Sequence, residues 1–177
     1  MSAINIEIKA RCFHPEKVEA FLLDAGARFV GTDHQRDTYF TVPTGRLKLR
    51  QGSIENNLIF YQRQDGEGPK TSEFFLSPVQ SGPSLETLLM AALPVKVIVE
   101  KKRKIFFIEH TKFHIDEVPS LGTFVEIEVS NLHHTNLTQE SMQADCAYYL
   151  HALEIRNEDL ISNSYSDMLL EQRESFT

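Results

Sequence analysis

Alternating apolar and polar residues open the chain and predict a β-strand. Over residues 4–10, three isoleucines and an alanine alternate with Asn5, Glu7 and Lys9. Because a strand sends successive side chains to opposite faces, this segment has one apolar and one polar face. The three β-branched isoleucines favour a strand over a helix.

The same alternation recurs and predicts seven further strands, over residues 29–42, 46–50, 58–63, 70–79, 95–108, 112–118 and 123–130. Helices are predicted from His14 to about Ala25, from an N-cap at Ser84 to about Ala92 and from an N-cap at Thr138 to about Leu153, with short helices between 157 and 170. Strands joined mostly by short turns predict one antiparallel α+β domain over residues 1–177. Eight such strands can close into a barrel.

The charges on the polar strand faces are sorted by sign. Arg46, Lys48 and Arg50 alternate with leucines and form a cationic face, whereas Glu126 and Glu128 form an acidic one. Such faces are costly unless charge of the opposite sign lies against them. A cationic wall suits a polyanion, and paired carboxylates suit a hard divalent metal, so together they suit a triphosphate with Mg²⁺. From this pattern alone, an ordinary sheet with its polar faces in water is the alternative.

Composition narrows the functional class. The 177 residues are 41% hydrophobic and 24% charged, which is typical of a soluble globular domain. The net charge of −7 argues against broad nucleic-acid or anionic-membrane binding, and no apolar run approaches the ~18 residues of a membrane span. The first residues do not resemble a signal peptide, and Cys12 and Cys146 are too few for a disulfide framework. We therefore expect a cytoplasmic protein.

An ordered set of short motifs resembles the CYTH superfamily, also called triphosphate tunnel metalloenzymes. The opening Asn5-Ile-Glu7-Ile-Lys9 is similar to its Glu-x-Glu-x-Lys signature. The other motifs follow in the family's order over nearly the whole chain: Gln35-Arg-Asp37-Thr-Tyr39-Phe40, Leu47-Lys48-Leu49-Arg50, Tyr61-Gln-Arg63, Lys101-Lys102-Arg103 and, after Asp116, Glu126-Ile-Glu128. The segments Asp37-Thr-Tyr39-Phe40 and Ser164-Tyr165-Ser166-Asp167 most resemble the class IV adenylate cyclase branch.

The resemblance implies an α+β fold in which a closed or nearly closed antiparallel eight-stranded β-barrel forms a charged tunnel with helices packed outside. It implies metal ligands for Mg²⁺ or Mn²⁺ at Glu7, Glu126 and Glu128, with Asp116 nearby. It implies triphosphate-binding side chains that offer charge-assisted hydrogen bonds at Lys9, Lys48, Arg50, Arg63, Lys70, Lys101 and Arg103. The implied catalytic residues are Glu7, Lys9, Glu126 and Glu128.

The implied activity is a metal-dependent reaction on a nucleoside triphosphate or inorganic triphosphate. The leading hypothesis is a class IV-type adenylate cyclase that converts ATP to cyclic AMP and pyrophosphate. A triphosphatase acting on inorganic, thiamine or nucleoside triphosphate is the alternative enzyme, since the same cations would serve both reactions. The resemblance also leaves a homodimer open.

One position departs from the family pattern and opens a third alternative. Asn5 stands where the first Glu of the signature is expected. An amide oxygen can bind a metal but brings no negative charge, so the change should weaken the metal site. A non-catalytic module that binds triphosphate or polyphosphate is therefore also open.

Three residues in or beside the motifs receive weaker assignments. Asp37 and Tyr39 are expected to be structural or lid-forming rather than catalytic. His114 shares a strand face with Asp116 and is a minor candidate for the site. The chain has no Gly-x-x-x-x-Gly-Lys sequence, so phosphate binding of the P-loop kind is excluded.

Overall fold

The computed structural model describes residues 3–63, 70–134 and 136–175. These residues form eight strands, four α-helices and a 3₁₀ turn at Asn157–Asp159. The strands are β1 Ala3–Arg11, β2 Arg28–Phe40, β3 Arg46–Gln51, β4 Asn57–Arg63, β5 Lys70–Pro78, β6 Val95–Ile108, β7 Thr111–Val118 and β8 Gly122–Ser130. The helices are α1 Pro15–Asp24, α2 Pro83–Ala92, α3 Gln139–Ala152 and α4 Tyr165–Ser175.

The eight strands close into an antiparallel barrel in the order β1-β5-β4-β3-β2-β6-β7-β8, with β8 returning to β1. The closed antiparallel barrel predicted from the sequence is therefore confirmed. Closure between the first and last strands sets Glu7 opposite Glu128 and Lys9 opposite Glu126. Residues at paired positions send their side chains to the same face, so the charged positions of β1 and β8 become neighbours.

The outer face of the barrel is apolar and is covered by helices. Leu22 of α1 and Met142 and Cys146 of α3 belong to one buried cluster with the strand residues Ile6, Ile8, Phe106, Phe113, Ile115, Ile127 and Val129. On another side, Leu89 of α2 packs with Phe40 and Leu49. Because the apolar strand faces point outward into these layers, the polar faces are turned toward the barrel axis.

One end of the barrel interior is apolar and is covered by α4. Tyr39, Val97, Val99 and Phe124 share strand faces with the charged residues further along β2, β6 and β8, and they cluster with Tyr165 of α4. The partly buried Met168, Leu169 and Leu170 pack against the same cluster. The C-terminal helix therefore closes this end, and the charged part of the interior lies beyond it. None of the helices that the structure describes has the length and apolarity of a membrane span.

The N-terminus of α3 confirms Thr138 as a cap, whereas the cap predicted for α2 is wrong. Thr138 Oγ1 accepts a hydrogen bond from Ser141 N at 3.2 Å, and Ser141 Oγ accepts one from Thr138 N at 3.1 Å. At α2, Gly82 is the N-cap and makes no side-chain bond, so Ser84 lies inside the helix. The reason is Pro83, whose fixed φ and missing N–H suit the first helical position.

Thr138→Ala should lower the free energy of unfolding by about 1 kcal/mol, because it removes the acceptor for a helix N–H that has no other partner in the helix. Ser84→Ala is the matched control and should change it by less than about 0.5 kcal/mol. Urea denaturation of both variants measures the difference. Equal losses would contradict the assignment of the two caps.

Candidate functional site

A cavity inside the barrel is lined by charged side chains from seven strands. Its lining includes most of the residues predicted for the site, namely Glu7, Lys9, Lys48, Arg50, Lys70, Lys101, Arg103, Glu126 and Glu128. Asp116 is buried beside this lining and is not part of it. Arg63 ends β4, and its side chain lies outside the described part of the structure. Closure of the barrel thus brings residues from positions 7 to 128 around one space.

Asp37 holds three cations of the lining together. Its carboxylate accepts hydrogen bonds from Arg50 Nε and Nη2, both at 2.9 Å, from Lys101 Nζ at 2.8 Å and from Lys48 Nζ at 3.3 Å. Burial alone would raise the pKa of Asp37, but the charges of these three partners outweigh it and hold that pKa well below its usual range. Asp37 is therefore an ionised counter-ion for what we call the cationic wall, defined as Lys48, Arg50, Lys101 and Arg103.

Lys101 is the member of this wall whose charge is most easily lost. Burial lowers its pKa from the ordinary value to about 7, with Asp37 opposing the shift and the neighbouring Arg50 and Arg103 adding to it. The arginines keep their charges, because their carboxylate partners raise the pKa of both against the effect of burial. Near neutral pH the total charge of the wall therefore depends on Lys101.

Glu126 and Asp116 both form ion pairs with Arg103. The Arg103 guanidinium donates to Asp116 Oδ1 at 2.7 Å and Oδ2 at 2.5 Å, and to Glu126 Oε2 at 2.6 Å. The other Glu126 oxygen lies 3.2 Å from Lys9 Nζ. Burial would raise the pKa of Glu126, but Arg103 and Lys9 lower it well below its usual range. Asp116 also accepts a hydrogen bond from the Tyr165 hydroxyl at 2.8 Å, which ties α4 to this network.

His114 lies behind Glu126 and does not line the cavity. Its Nδ1 is 3.0 Å from Glu126 Oε2, and the residue is fully buried. Burial and the nearby charge of Arg103 lower its pKa to about 4, so the imidazole is neutral at pH 7 and donates its Nδ1 proton to the carboxylate. His114 therefore positions Glu126.

Sequence reasoning missed Glu55 and Lys112, which also line the cavity. Asp33 accepts hydrogen bonds from the backbone N–H groups of Ile54 at 2.9 Å and Glu55 at 3.0 Å, and this holds the β3–β4 loop against the barrel. Glu55 then lies 2.5 Å from Lys112 Nζ and 3.1 Å from Arg50 Nη1. Lys112 shares a strand face with His114 and Asp116, and this parity could have identified it. No motif indicates Glu55.

The same loop contains a position where only glycine fits. A Cβ on Gly52 would lie 2.6 Å from Asp33 Oδ1, which is closer than real Cβ contacts come. A side chain there would push the Asp33 carboxylate from the loop N–H groups that it binds. The small residue thus keeps Glu55 in the cavity lining.

Comparison with known proteins gives the family. The model of the CYTH domain matches residues 3–144. The chain belongs to the CYTH family. No curated protein sequence matches it significantly. CYTH domains bind triphosphate substrates, and CYTH triphosphate tunnel enzymes are generally metal-dependent.

Solved structures share the CYTH fold at low sequence identity. The PH1012 protein of Pyrococcus horikoshii OT3 is 23% identical, with a TM-score of 0.76 over 92% of this chain and 98% of that one. A candidate adenylate cyclase of Vibrio parahaemolyticus is 15% identical, with a TM-score of 0.75 over 94% and 97%. The Schizosaccharomyces pombe RNA triphosphatase Pct1 is 9% identical, with a TM-score of 0.50 over 92% and 86%. At these identities the likeness shows the fold alone.

Within the CYTH tunnel, Glu7 and Glu128 are the carboxylates best suited to a metal. They face each other in the β1–β8 register, and we call them the acidic pair. Burial raises the pKa of Glu128, and the negative charge of Glu7 adds to the rise, while Lys112 opposes it. A divalent cation would relieve this repulsion, and carboxylate oxygens are the ligands that Mg²⁺ and Mn²⁺ prefer. The donor set therefore fits a hard cation.

The other implied ligands form closer ion pairs with cations of the protein itself, whereas the contact of Glu7 with Lys9 Nζ is longer, at 3.7 Å. Glu126 pairs with Lys9 and Arg103, and Asp116 pairs with Arg103. Among the residues that the structure describes, no three His, Cys, Asp or Glu side chains are arranged as a metal centre. Metal binding by Glu126 would thus require its ion pairs to open.

Proposed function

We propose that this protein is a metal-dependent enzyme that acts on a triphosphate inside the barrel. The proposal rests on one observation, that the cationic wall and the acidic pair line the same cavity. Among the described residues, seven lysine and arginine side chains and five carboxylates line this partly closed space, and the excess of positive charge favours a polyanion. The acidic pair would then hold Mg²⁺ or Mn²⁺ beside that anion.

Different residues of the tunnel would bind the phosphates, hold the metal and stabilise the charge of the leaving group. Arg50 and Arg103 would donate to phosphate oxygens from the guanidinium N–H groups that their carboxylate partners leave free, and Lys48, Lys101, Lys9 and Lys70 would add point charges. A metal ion held at Glu7 and Glu128 would polarise the reacting phosphate and neutralise its charge. The wall would stabilise negative charge as it develops on the leaving group, and because its side chains are already ordered it needs little rearrangement to do so.

The reaction we favour is that of a class IV-type adenylate cyclase. In this reaction the ribose 3′-hydroxyl of ATP gives up its proton, which ends on the pyrophosphate by way of solvent. The 3′-oxygen forms a bond to the α-phosphorus while the α–β phosphoanhydride bond breaks, which yields cyclic AMP and pyrophosphate. The support is the class IV-like sequence at Asp37–Phe40 and Ser164–Asp167, together with a candidate adenylate cyclase among the structural neighbours. The wall would equally neutralise the leaving group of a triphosphatase.

Product analysis tests the proposal. Purified protein is incubated with ATP and Mg²⁺ or Mn²⁺, with EDTA as the metal-free control. Cyclic AMP with pyrophosphate is the expected result, whereas ADP with phosphate would identify a triphosphatase. Binding of ATP or tripolyphosphate without turnover would identify a non-catalytic module. If neither ATP nor tripolyphosphate binds at millimolar concentration, and neither raises the melting temperature, the proposal is wrong.

Triphosphate affinity should fall as the pH rises through about 7, because Lys101 loses its charge there. Linkage of one proton limits the slope to about tenfold per pH unit. Lys101→Met should bind about tenfold more weakly than wild type at pH 6 and nearly equally at pH 8.5. The variant experiences the same ionisation of the ligand, so the ratio of the two dissociation constants isolates Lys101. A ratio independent of pH would contradict the prediction.

A further inference from the structure

The cavity lining has one stretch without charge. Six uncharged residues of β4 and β5 line the cavity, and we call them the neutral sector: Asn57, Ile59, Tyr61, Ser72, Phe74 and Leu76. The charged Lys70 lies on the same face of β5, next to Ser72. The register pairs Tyr61 with Phe74 and Ile59 with Leu76, so the two rows are side by side. The two rows together form a continuous apolar surface, with the polar residues Asn57 and Ser72 at its borders.

The neutral sector adjoins both charged parts of the site. Ile59 is opposite Lys48 and Asn57 is opposite Arg50 in the β3–β4 register. On the other side Ser72 is opposite Asn5, which is the inward residue next to Glu7 on β1. A ligand held by the cationic wall and the acidic pair would therefore reach the neutral sector without leaving the cavity.

Asn5 offers an unused hydrogen-bonding group at this border. It lines the cavity, and its Oδ1 is buried without a hydrogen-bond partner among the residues that the structure describes. A buried polar atom with no partner is costly, so a ligand group that donates to it, or accepts from the amide nitrogen, would be favoured. The asparagine that departs from the family signature thus faces the same space as Phe74.

The chemistry of this surface distinguishes between triphosphates. Inorganic triphosphate is charged throughout and gains nothing from an apolar wall. Thiamine carries a positive charge, which would lie against a surface that offers no carboxylate. A nucleoside is uncharged, has flat aromatic faces and carries both donors and acceptors at its edges, so it matches the apolar surface and the Asn5 amide.

We propose that the neutral sector binds the nucleoside of a nucleoside triphosphate, with Phe74, Leu76 and Ile59 contacting the base or sugar and Asn5 hydrogen-bonding to it. This inference rests on the proposed function, because the triphosphate must first lie between the wall and the acidic pair. It makes Phe74 and Asn5 specificity-determining residues. It also places the sugar and the α-phosphate near Glu7. A cyclase reacts at these two groups of ATP.

The test compares two ligands that share the triphosphate and differ in the nucleoside. Methylene-bridged analogues of ATP and of tripolyphosphate, whose P–C–P bridges resist cleavage, are titrated calorimetrically with Mg²⁺ present. Phe74→Ala should weaken binding of the ATP analogue about tenfold and change binding of the tripolyphosphate analogue less than twofold. Leu76→Ala, at a more exposed position of the same surface, is the second variant if Phe74→Ala does not fold. Phe75→Ala, on the outer face of β5, is the matched control and should alter neither.

Each outcome bears on the proposal. A selective loss for the ATP analogue supports the neutral sector as the nucleoside site. Equal losses for both ligands, or no loss in either inner-face variant, overturn it. If wild type binds the tripolyphosphate analogue but not the ATP analogue, this inference fails while the triphosphate site stands. If wild type binds neither, the proposed function itself fails.

Discussion

Asp37→Asn should lower the free energy of unfolding of the ligand-free protein by about 3–5 kcal/mol, the usual cost of breaking a buried ion pair. The substitution keeps the shape of the side chain and removes its charge. Arg50, Lys101 and Lys48 each contact Asp37 within 3.3 Å, and in the variant Glu55, 3.1 Å from Arg50, is the carboxylate that remains beside them. The repulsion of three confined cations and their lost hydrogen bonds both contribute to this cost.

Urea denaturation with and without tripolyphosphate measures the effect. The anion should stabilise the Asp37 variant more than wild type, because it supplies the missing negative charge and binds only the folded state. Asp167→Asn is the matched control. Asp167 pairs with Arg46 at 3.0 Å in a partly exposed position, so its loss should cost about 1 kcal/mol or less. Equal costs at the two positions would show that Asp37 is not the counter-ion of the wall.

Glu128→Gln should reduce metal-dependent turnover at least about a hundredfold without lowering stability, since a catalytic metal contributes several kcal/mol to the barrier. The raised pKa of Glu128 means that its ionised form is disfavoured in the folded protein. Removing that charge takes away a penalty that is present at neutral pH and absent below the ordinary pKa of a glutamate. The free energy of unfolding should therefore stay the same or rise at pH 7.

Glu126→Gln should behave differently, and this contrast is diagnostic. It leaves Lys9 and Arg103 without a full counter-charge, so the variant should lose both activity and stability. Glu117→Gln, at an exposed position of β7, is the neutral control for removing a glutamate charge. Steady-state rates at saturating Mn²⁺ measure the activity of each variant, and urea denaturation at pH 7 measures its free energy of unfolding. A Glu128 variant with wild-type turnover would exclude it as a metal-holding residue.

The strands and their two faces could be predicted from local sequence. Alternation at period two depends only on neighbouring residues, so the strand bounds agree with the prediction to within one or two residues. The start of α2 was not accessible in this way. Pro83 takes the first helical position after the N-cap Gly82, and this places Ser84 inside the helix.

The partners of the charged residues required the closed barrel. Sequence pattern indicated that Arg50 and Lys101 face the same side of their strands, but Asp37 meets both only because β2 lies between β3 and β6. Similarly, Glu126 and Glu128 belong to one motif, yet the pKa of Glu126 is lowered and the pKa of Glu128 is raised. The β1 and β7 registers set Glu126 opposite Lys9 and His114, and they set Glu128 opposite Glu7 and Lys112.

The sequence by itself determined the strand order along the chain and the polar and apolar faces, because both follow from local spacing. The residues expected to bind a triphosphate came from the resemblance to the CYTH motifs. Only the tertiary structure decided which carboxylates neutralise which cations, which pair is left for a metal, and that Glu55 and the neutral sector share the cavity. These depend on contacts between residues up to about 120 positions apart, as with Lys9 and Glu126. Their geometry is set by strand register and barrel closure, which local alternation does not specify.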